Sequence, residues 1–595
     1  MHTTQIITNI TLIAVLCVAC AEPQEQKTDY GARVEPEQSQ TRKLAQIRQT
    51  KEEDATGKFG YTSMPKPEAK PASRNTTVAN VSAALKSRAQ PSAKYFTADV
   101  AGEFVSVQSA HPEMQAYAID TENYLNYPSN GVKNVTEEPV STFSVDVDTA
   151  AYANVRRMLS QEGRLPPSDA VRLEEMINYF NYSYTPPVDR AQPFSIHTEM
   201  APAPWSENHQ LLQIGLKGFE PKLEQRPAAN LVFLVDVSGS MQSANKLGLV
   251  KKSLRLLVNR MTAGDKIALA VYAGAAGVVL ESTPGSQKAK ILAAIEGLTA
   301  GGSTHGSAGI KLAYNLAEQN HIEGGINRVI IASDGDMNVG TVNIEALKDL
   351  ISYKRDKGIA LTTLGFGSGN YNYALMEQLA DVGNGNASYI DSLQEAHKVL
   401  VNEMQSTLLT IASDVKIQVE FNPAVVSEYR LIGYENRMLN REDFNNDKVD
   451  AGDIGAGHTV TALYEIVLNG SDGKRIPNLR YGSQHEQEKM QYGNGELAFV
   501  KLRYKQPGEA TSKLVSQAIS TNSLNTSIEQ GSDNLRFAAS VAGFGQILQG
   551  GTFTGNWSYN DALTLARNSR GQDPHGYRSE FVHLIELAQS LSSGS

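Results

Sequence analysis

The sequence predicts an α/β protein: a doubly wound, mainly parallel sheet with an accessory antiparallel β-sandwich and a helical C-terminal region. Three observations predict it. Between residues 229 and 408, short apolar runs alternate with amphipathic helical periods. From 409 to 508, apolar and polar residues alternate singly. From 509 to 595, apolar residues return to a spacing of three and four. Strands alternating with helices need crossover connections, which give a parallel sheet covered on both faces. Single alternation gives strands with one buried face.

Length and composition agree with several packed units. The 595 residues correspond to about three or four domains. Hydrophobic residues make up 41% and charged residues 20%, enough apolar material for real cores. The net charge of −10 disfavours nucleic acid, which needs concentrated basic surface. Both cysteines, Cys17 and Cys20, lie at the extreme N-terminus. Downstream of them neither a disulfide nor a thiolate zinc site is possible.

Residues 1–20 read as a signal peptide: Ile10 to Ala19 is apolar, and too short for a comfortable span of about 20 residues. Cys17-Val18-Ala19-Cys20 resembles a bacterial lipobox, which implies lipidation of Cys20. A plain cleaved signal or a short anchor are the alternatives. Ala21 after the cysteine resembles outer-membrane sorting. Residues 21–114 are charged, polar and Pro-broken, as in "MPKPEAKPASRNTT". Such a stretch buries too little to offset ordering entropy and reads as a disordered tether. At about 5–6 Å times the square root of its length, it reaches about 50 Å.

Residues 115–228 form an α+β domain. Here "STFSVDVD" gives a strand, Phe143 to Val147. A helix follows with Asp148 or Thr149 as N-cap and Gly163 as its stop. Ser168 caps a second helix, with Val171, Met176 and Phe180 apolar. Asp146 and Asp148 suit a strand end and a cap better than a metal.

Residues 229–408 hold apolar strands at Leu231–Val235, Ile267–Tyr272, Gly277–Leu280, Val329–Ala332 and Ala360–Gly365. Leu247, Val250, Leu254 and Leu257 share one helical face between the first two. Residues 409–508 form the sandwich, beginning with Val415, Ile417, Val419 and Phe421 in alternation. Residues 509–595 form the helical region: Phe537, Val541, Phe544 and Leu548 make one stripe, and Phe581, Leu584, Ile585 and Ala588 another. Ser558 and Asp561 are spaced as a capping pair.

The chemistry concentrates where apolar strands stop. "LVFLVDVSGSM" ends a strand in Asp236, Ser238 and Ser240. The intervening residues let three oxygens turn to one side of a tight loop, and Gly239 lets it bend. Ligands of an open parallel sheet bind outside the carboxyl ends of its strands. Hard divalent cations take oxygen ligands, about six for magnesium. Three oxygens are too few, so others must come from neighbouring loops. "GGSTHGSAG" supplies Thr304, and "VIIASDGDMNVG" supplies Asp334. Capping of helices by Asp and Ser explains one such loop, not three in this order.

These residues carry a resemblance. D-x-S-x-S, a later Thr in a Gly-rich loop and an S-D-G at a strand end resemble the metal-ion-dependent adhesion site of von Willebrand factor type A domains. The resemblance implies a metal set of Asp236, Ser238, Ser240, Thr304 and Asp334, some of it through water. It implies Mg2+, or Mn2+ or Ca2+, with one position open for a partner's carboxylate. Ser333 stands where threonine is common, and His305 follows Thr304. From about residue 115 to 592, segments such as "VSTFSVDVDTAAYANVRRML" and "NLRFAASVAGFGQIL" resemble a bacterial envelope family with a short N-terminal domain, an A domain and a C-terminal region of unknown role.

The expected function follows from that resemblance. It is a divalent-metal-dependent, adhesion-type protein-binding module at the bacterial cell envelope. It captures an exposed acidic side chain of a partner protein and is held to the membrane by its lipidated N-terminus. A metal-stabilised scaffold for an envelope assembly is the first alternative, and a metal-dependent hydrolase the second. Enzyme motifs argue against the latter. A dehalogenase-type phosphotransferase needs a second carboxylate where Ser238 stands, and neither G-x-x-x-x-G-K-[ST] nor G-x-S-x-G occurs. The acidic run at 443–453 is spaced somewhat like a calcium loop, but Lys448 and Ile454 occupy positions that an EF-hand gives to Gly and Glu. It reads as a polar hairpin loop.

Overall fold

The computed structural model describes residues 122–145, 148–189, 191–221, 226–302, 306–335, 344–369, 371–477, 495–521 and 524–593. The chain divides into two units, Met1–Pro112 and Glu113–Ser595, and every described residue lies in the second. The signal segment with Cys20, the tether, Asp146, Thr304 and His305 lie outside the described residues.

The protein has an α/β fold. A six-stranded sheet runs in the spatial order 387–390, 360–366, 326–333, 229–236, 266–272, 276–284. Neighbours are parallel except the hairpin of Lys266–Tyr272 with Ala276–Pro284 at one edge. Strand Ala229–Asp236 is buried along its whole length. Its side chains alternate between two cores. Leu231, Phe233 and Val235 face helices Leu247–Arg260 and Lys288–Glu296. Val232 and Leu234 face helices Gly306–Gln319, Ile344–Arg355 and Tyr373–Val382. The expected stripe Leu247, Val250, Leu254 and Leu257 is buried. Each such side chain is worth about 1.5–3 kcal/mol against exposure. This double cover is why the strands read as continuous apolar runs.

Two antiparallel sheets form the sandwich, and both draw strands from either side of the parallel sheet in sequence. In one, Phe194–Pro202 and Gln210–Gly218 pair with Thr459–Leu468, which pairs with Val426–Ile432 and that with Lys133–Asn134. In the other, Thr410–Phe421 lies between Glu496–Lys505 and Val140–Ser144. Lys513–Ser520 and Ile454–Gly455 complete it. Their shared core holds Phe143, Ile214, Val419, Phe421 and Tyr464. The chain enters and leaves the parallel sheet at one place. Gly457 N–H donates to Phe219 O at 2.9 Å, and Ala456 N–H donates to Leu409 O at 2.8 Å.

Helices Ala150–Ser160, Leu173–Asn178, Asp533–Leu548, Tyr559–Asn568 and Tyr577–Ser593 share a third core. The Tyr152 and Tyr179 rings stack at 3.8 Å, and Phe180 meets Phe537 edge-on at 4.9 Å. The Ser558–Asp561 capping box forms as the spacing predicts. Two expected caps do not. Neither Asp148 nor Thr149 caps the helix after the first strand; Glu175 Oε2 instead accepts from Ala151 N–H at 2.8 Å. Asp148 is turned to Ala387 N–H at 2.8 Å and to Arg437 at 3.2 Å. Ser168 begins only a three-residue 3-10 turn, and the next helix starts at Leu173. At the first place a tertiary partner outcompetes the local one.

Candidate metal-binding and adhesion site

Asp236 ends the central strand, where the sheet order turns from one side to the other. Its carboxylate is buried, and its oxygens are held apart by two short links. Ser238 N–H donates to Oδ1 at 2.8 Å, and Ser333 Oγ donates to Oδ2 at 3.2 Å. The Ser238 and Ser240 hydroxyl oxygens are 2.9 Å apart, so D-x-S-x-S does turn both to one side. Asp236 and Ser238 are buried while Ser240 is exposed, so the cluster opens to solvent at Ser240.

Gly301 and Gly302 are docked onto this turn by their backbone. Gly239 N–H donates to Gly302 O at 3.0 Å, and Gly301 N–H donates to Val237 O at 2.7 Å. Gly302 has φ +93°, a left-handed conformation that favours glycine. Asp334 follows the neighbouring strand Ile326–Ser333 and is fully buried. Gly335 N–H donates to Ser333 Oγ at 3.1 Å, which fixes the hydroxyl that reaches Asp236. Of the five predicted ligands, four are described: Ser238 touches Ser240, and Asp236 and Asp334 end adjacent strands.

Sequence reasoning missed Lys246. Its ammonium lies 2.9 Å from Asp334 Oδ2, buried with it. Its stem crosses Gly367, where a Cβ would stand 2.3 Å from Lys246 Cε. Gly367 therefore keeps the lysine's path open. Nothing local in the sequence marks Lys246, because its partner lies 88 residues on.

These residues fit a cation. Asp236 is a buried carboxylate with hydroxyl and amide partners but no ion pair among the described residues. Burial pushes its carboxyl above the usual carboxylate range; the hydrogen bonds from Ser238 work against this, and the negative charge of Asp334 works with it. A lysine ammonium already rests on Asp334. Buried negative charge facing hydroxyl oxygens is the donor set that hard divalent cations prefer. Among the described residues no group of three or more carboxylate, imidazole or thiol side chains is arranged to hold a metal.

The acidic run at 443–453 does not converge on one point. Asp443 closes a capping box with Asn440, and Asp447 accepts from Ser512 N–H at 3.2 Å. Asp450 pairs with Arg355 at 2.8 Å, and Asp453 accepts from Asp414 N–H at 3.3 Å. These carboxylates point to separate partners.

Comparison with known proteins places the chain. Residues 118–213 match a family model described as von Willebrand factor, and 230–403 match the von Willebrand factor type A domain. Residues 406–591 match the C-terminal region of the uncharacterized protein YfbK. YfbK of Escherichia coli (strain K12) is 47% identical over 478 residues, spanning 79% of this chain and 82% of that one. The chain belongs to the YfbK family. In this chain an A domain, residues 230–403, is joined to flanking segments that share two sheets. The chain is also similar to more distant proteins. Human inter-alpha-trypsin inhibitor heavy chain H4 is 29% identical over 161 residues, 25% of this chain and 17% of that one. A solved von Willebrand factor type A structure from Catenulispora acidiphila is 16% identical and covers 66% of this chain and 89% of that one, with a TM-score of 0.36.

Proposed function

We propose that this YfbK-family protein is a divalent-metal-dependent protein-binding module of the bacterial cell envelope, not an enzyme. Asp236, Ser238, Ser240, Thr304 and Asp334 would hold Mg2+, or Mn2+ or Ca2+. The observation that carries the reading is Asp236: a buried carboxylate beside two converging hydroxyls, without a cationic partner among the described residues. A bound dication supplies an electrophilic position for an oxygen from outside. The chain's own residues set the charge balance there. Lys246 neutralises Asp334, so Asp236 is the one carboxylate of the set left without an ammonium. That leaves a dication undercompensated and favours an acidic side chain from a partner. Ser240, exposed, is the side from which such a partner approaches.

The lipobox-like run ending at Cys20 supports a lipid anchor, and the following polar stretch supports a long arm. Among the described residues no helix is long and apolar enough to cross a membrane. The test is a pull-down from envelope extract with residues 115–595 as bait, with and without EDTA, and with Asp236→Ala. Loss of one acidic partner in both treatments, with the fold retained, is the expected result. The shared sheets on either side of the A domain favour a second reading, an assembly scaffold. Capture that survives both treatments would support it and end the first.

A further inference from the structure

At the other end of the parallel sheet a cavity of about 310 Å³ lies between the A domain and the sandwich. Arg328, three residues into strand Ile326–Ser333, lines it from one side; Asp453 and His458 line it from the sandwich. Arg328 is only 3% exposed. Its Nη1 donates to Thr362 Oγ1 at 2.6 Å, its Nε has no partner, and it forms no ion pair among the described residues. Asp453 acts on it only through space, and a buried guanidinium without a counter-charge in contact is costly to keep.

The surrounding charges do not solve this. Asp148 and Asp381 are taken by Arg437, Asp450 by Arg355, and Glu403 by Lys398 at 2.7 Å. That leaves one cation and one carboxylate on the wall without ion pairs, Arg328 and Asp453. Asp453 keeps only the amide of Asp414. The two share the cavity without meeting. His458 Nε2 is likewise buried without a partner. Burial pulls Arg328 down to about 10, pushes Asp453 up to about 7 and pulls His458 down to about 3. All three therefore sit in a poorly solvated space, although Asp453 and His458 keep some surface, which faces the cavity.

We propose that this cavity binds a small zwitterion of the α-amino-acid type, its carboxylate on Arg328 and its ammonium on Asp453. A molecule with both charges satisfies both unpaired groups at once, whereas a simple anion leaves Asp453 repelling it. The volume lies at the lower end of about 300–1,000 Å³ for small-molecule pockets, which suits a ligand of that size. His458, neutral, adds a hydrogen-bonding position for the ligand's remaining polar atoms.

The test uses the full chain and a panel of the twenty L-amino acids at 1 mM, roughly a weak-site concentration. Acetate, methylammonium and inorganic phosphate serve as single-charge arms. Thermal shift identifies the ligand, and calorimetry gives its stoichiometry. The expected result is one-to-one binding of at least one amino acid, with none of the single-charge ions binding comparably. Asp453→Asn should weaken binding about tenfold or more, as should Arg328→Gln. Where Arg328→Gln does not fold, Asp453→Asn and His458→Gln carry the test. An inert panel, equal binding by acetate or phosphate, or unchanged binding in Asp453→Asn each overturns the proposal.

Discussion

The two ends of strand Ile326–Ser333 present opposite electrical problems. At its carboxyl end, Asp334 and the adjacent Asp236 bring two buried carboxylates together, and Lys246 rests its ammonium on Asp334. Near its amino end, Arg328 buries a guanidinium with no carboxylate in ion-pair contact among the described residues. The fold resolves such problems elsewhere. Arg156 reaches Glu395 at 2.7 Å, Glu580 at 2.9 Å and Asp391, joining the A domain to the last helix through one guanidinium shared by three carboxylates. The contrast teaches where to look for ligands. Charges that pair across the protein hold segments together, whereas charges buried short of partners mark places where something from outside completes the balance.

The largest expected effect breaks the carboxyl end alone. Asp236→Ala should remove Mg2+ and Mn2+ binding in calorimetry, beyond the about 10–100-fold typical of outer-shell partners. Amino-acid binding at the other end should be unchanged; a joint loss would mean that the two ends are not separate sites.

Next is the pH response of the amino end. Asp453 in the folded chain titrates at about 7, above an ordinary carboxyl near 3.9. Folding therefore favours its protonated form. Its stabilising contribution is full below about pH 4 and is lost as pH rises through about 7. Asp453→Asn should flatten the ligand-free stability curve over that window and raise stability at pH 8 by about 1–3 kcal/mol, read by urea unfolding. An unchanged curve would show that Asp453 is solvated.

Lys246→Met sharpens the comparison by removing the ammonium that rests on Asp334. Metal affinity should rise about tenfold, or about 1.4 kcal/mol, because two cations no longer compete for one carboxylate. Weaker binding would instead make Lys246 a positioning residue for Asp334. The smallest effect is a control far from both ends. Ser558→Ala removes a capping-box hydroxyl and should cost about 1 kcal/mol of stability in denaturant unfolding, with both affinities intact.

What the sequence made legible was local. Continuous apolar runs such as Leu231–Val235 announce strands covered on both faces, and D-x-S-x-S places its hydroxyls by spacing alone. The Ser558–Asp561 cap is equally local. The cap at Asp148 is absent because Glu175, Ala387 and Arg437 reach that place only through tertiary packing. Lys246 and Arg328 were illegible for the same reason. Each is an ordinary surface-type residue in sequence, and its burial depends on partners many positions away. The sandwich strands Phe194–Pro202 and Gln210–Gly218 belong with Thr459–Leu468, about 250 positions on, a pairing that no periodicity encodes.

The pinning of Phe219 and Leu409 to adjacent residues of one turn has a mechanical side. A tug on the exposed tip near Ser240 travels down the sheet to two neighbouring tie points. Both are stitched to Ala456 and Gly457, at the head of the long strand Thr459–Leu468. The load is then shared by both tethers as a yoke shares it, and the tip cannot be peeled away from one side first.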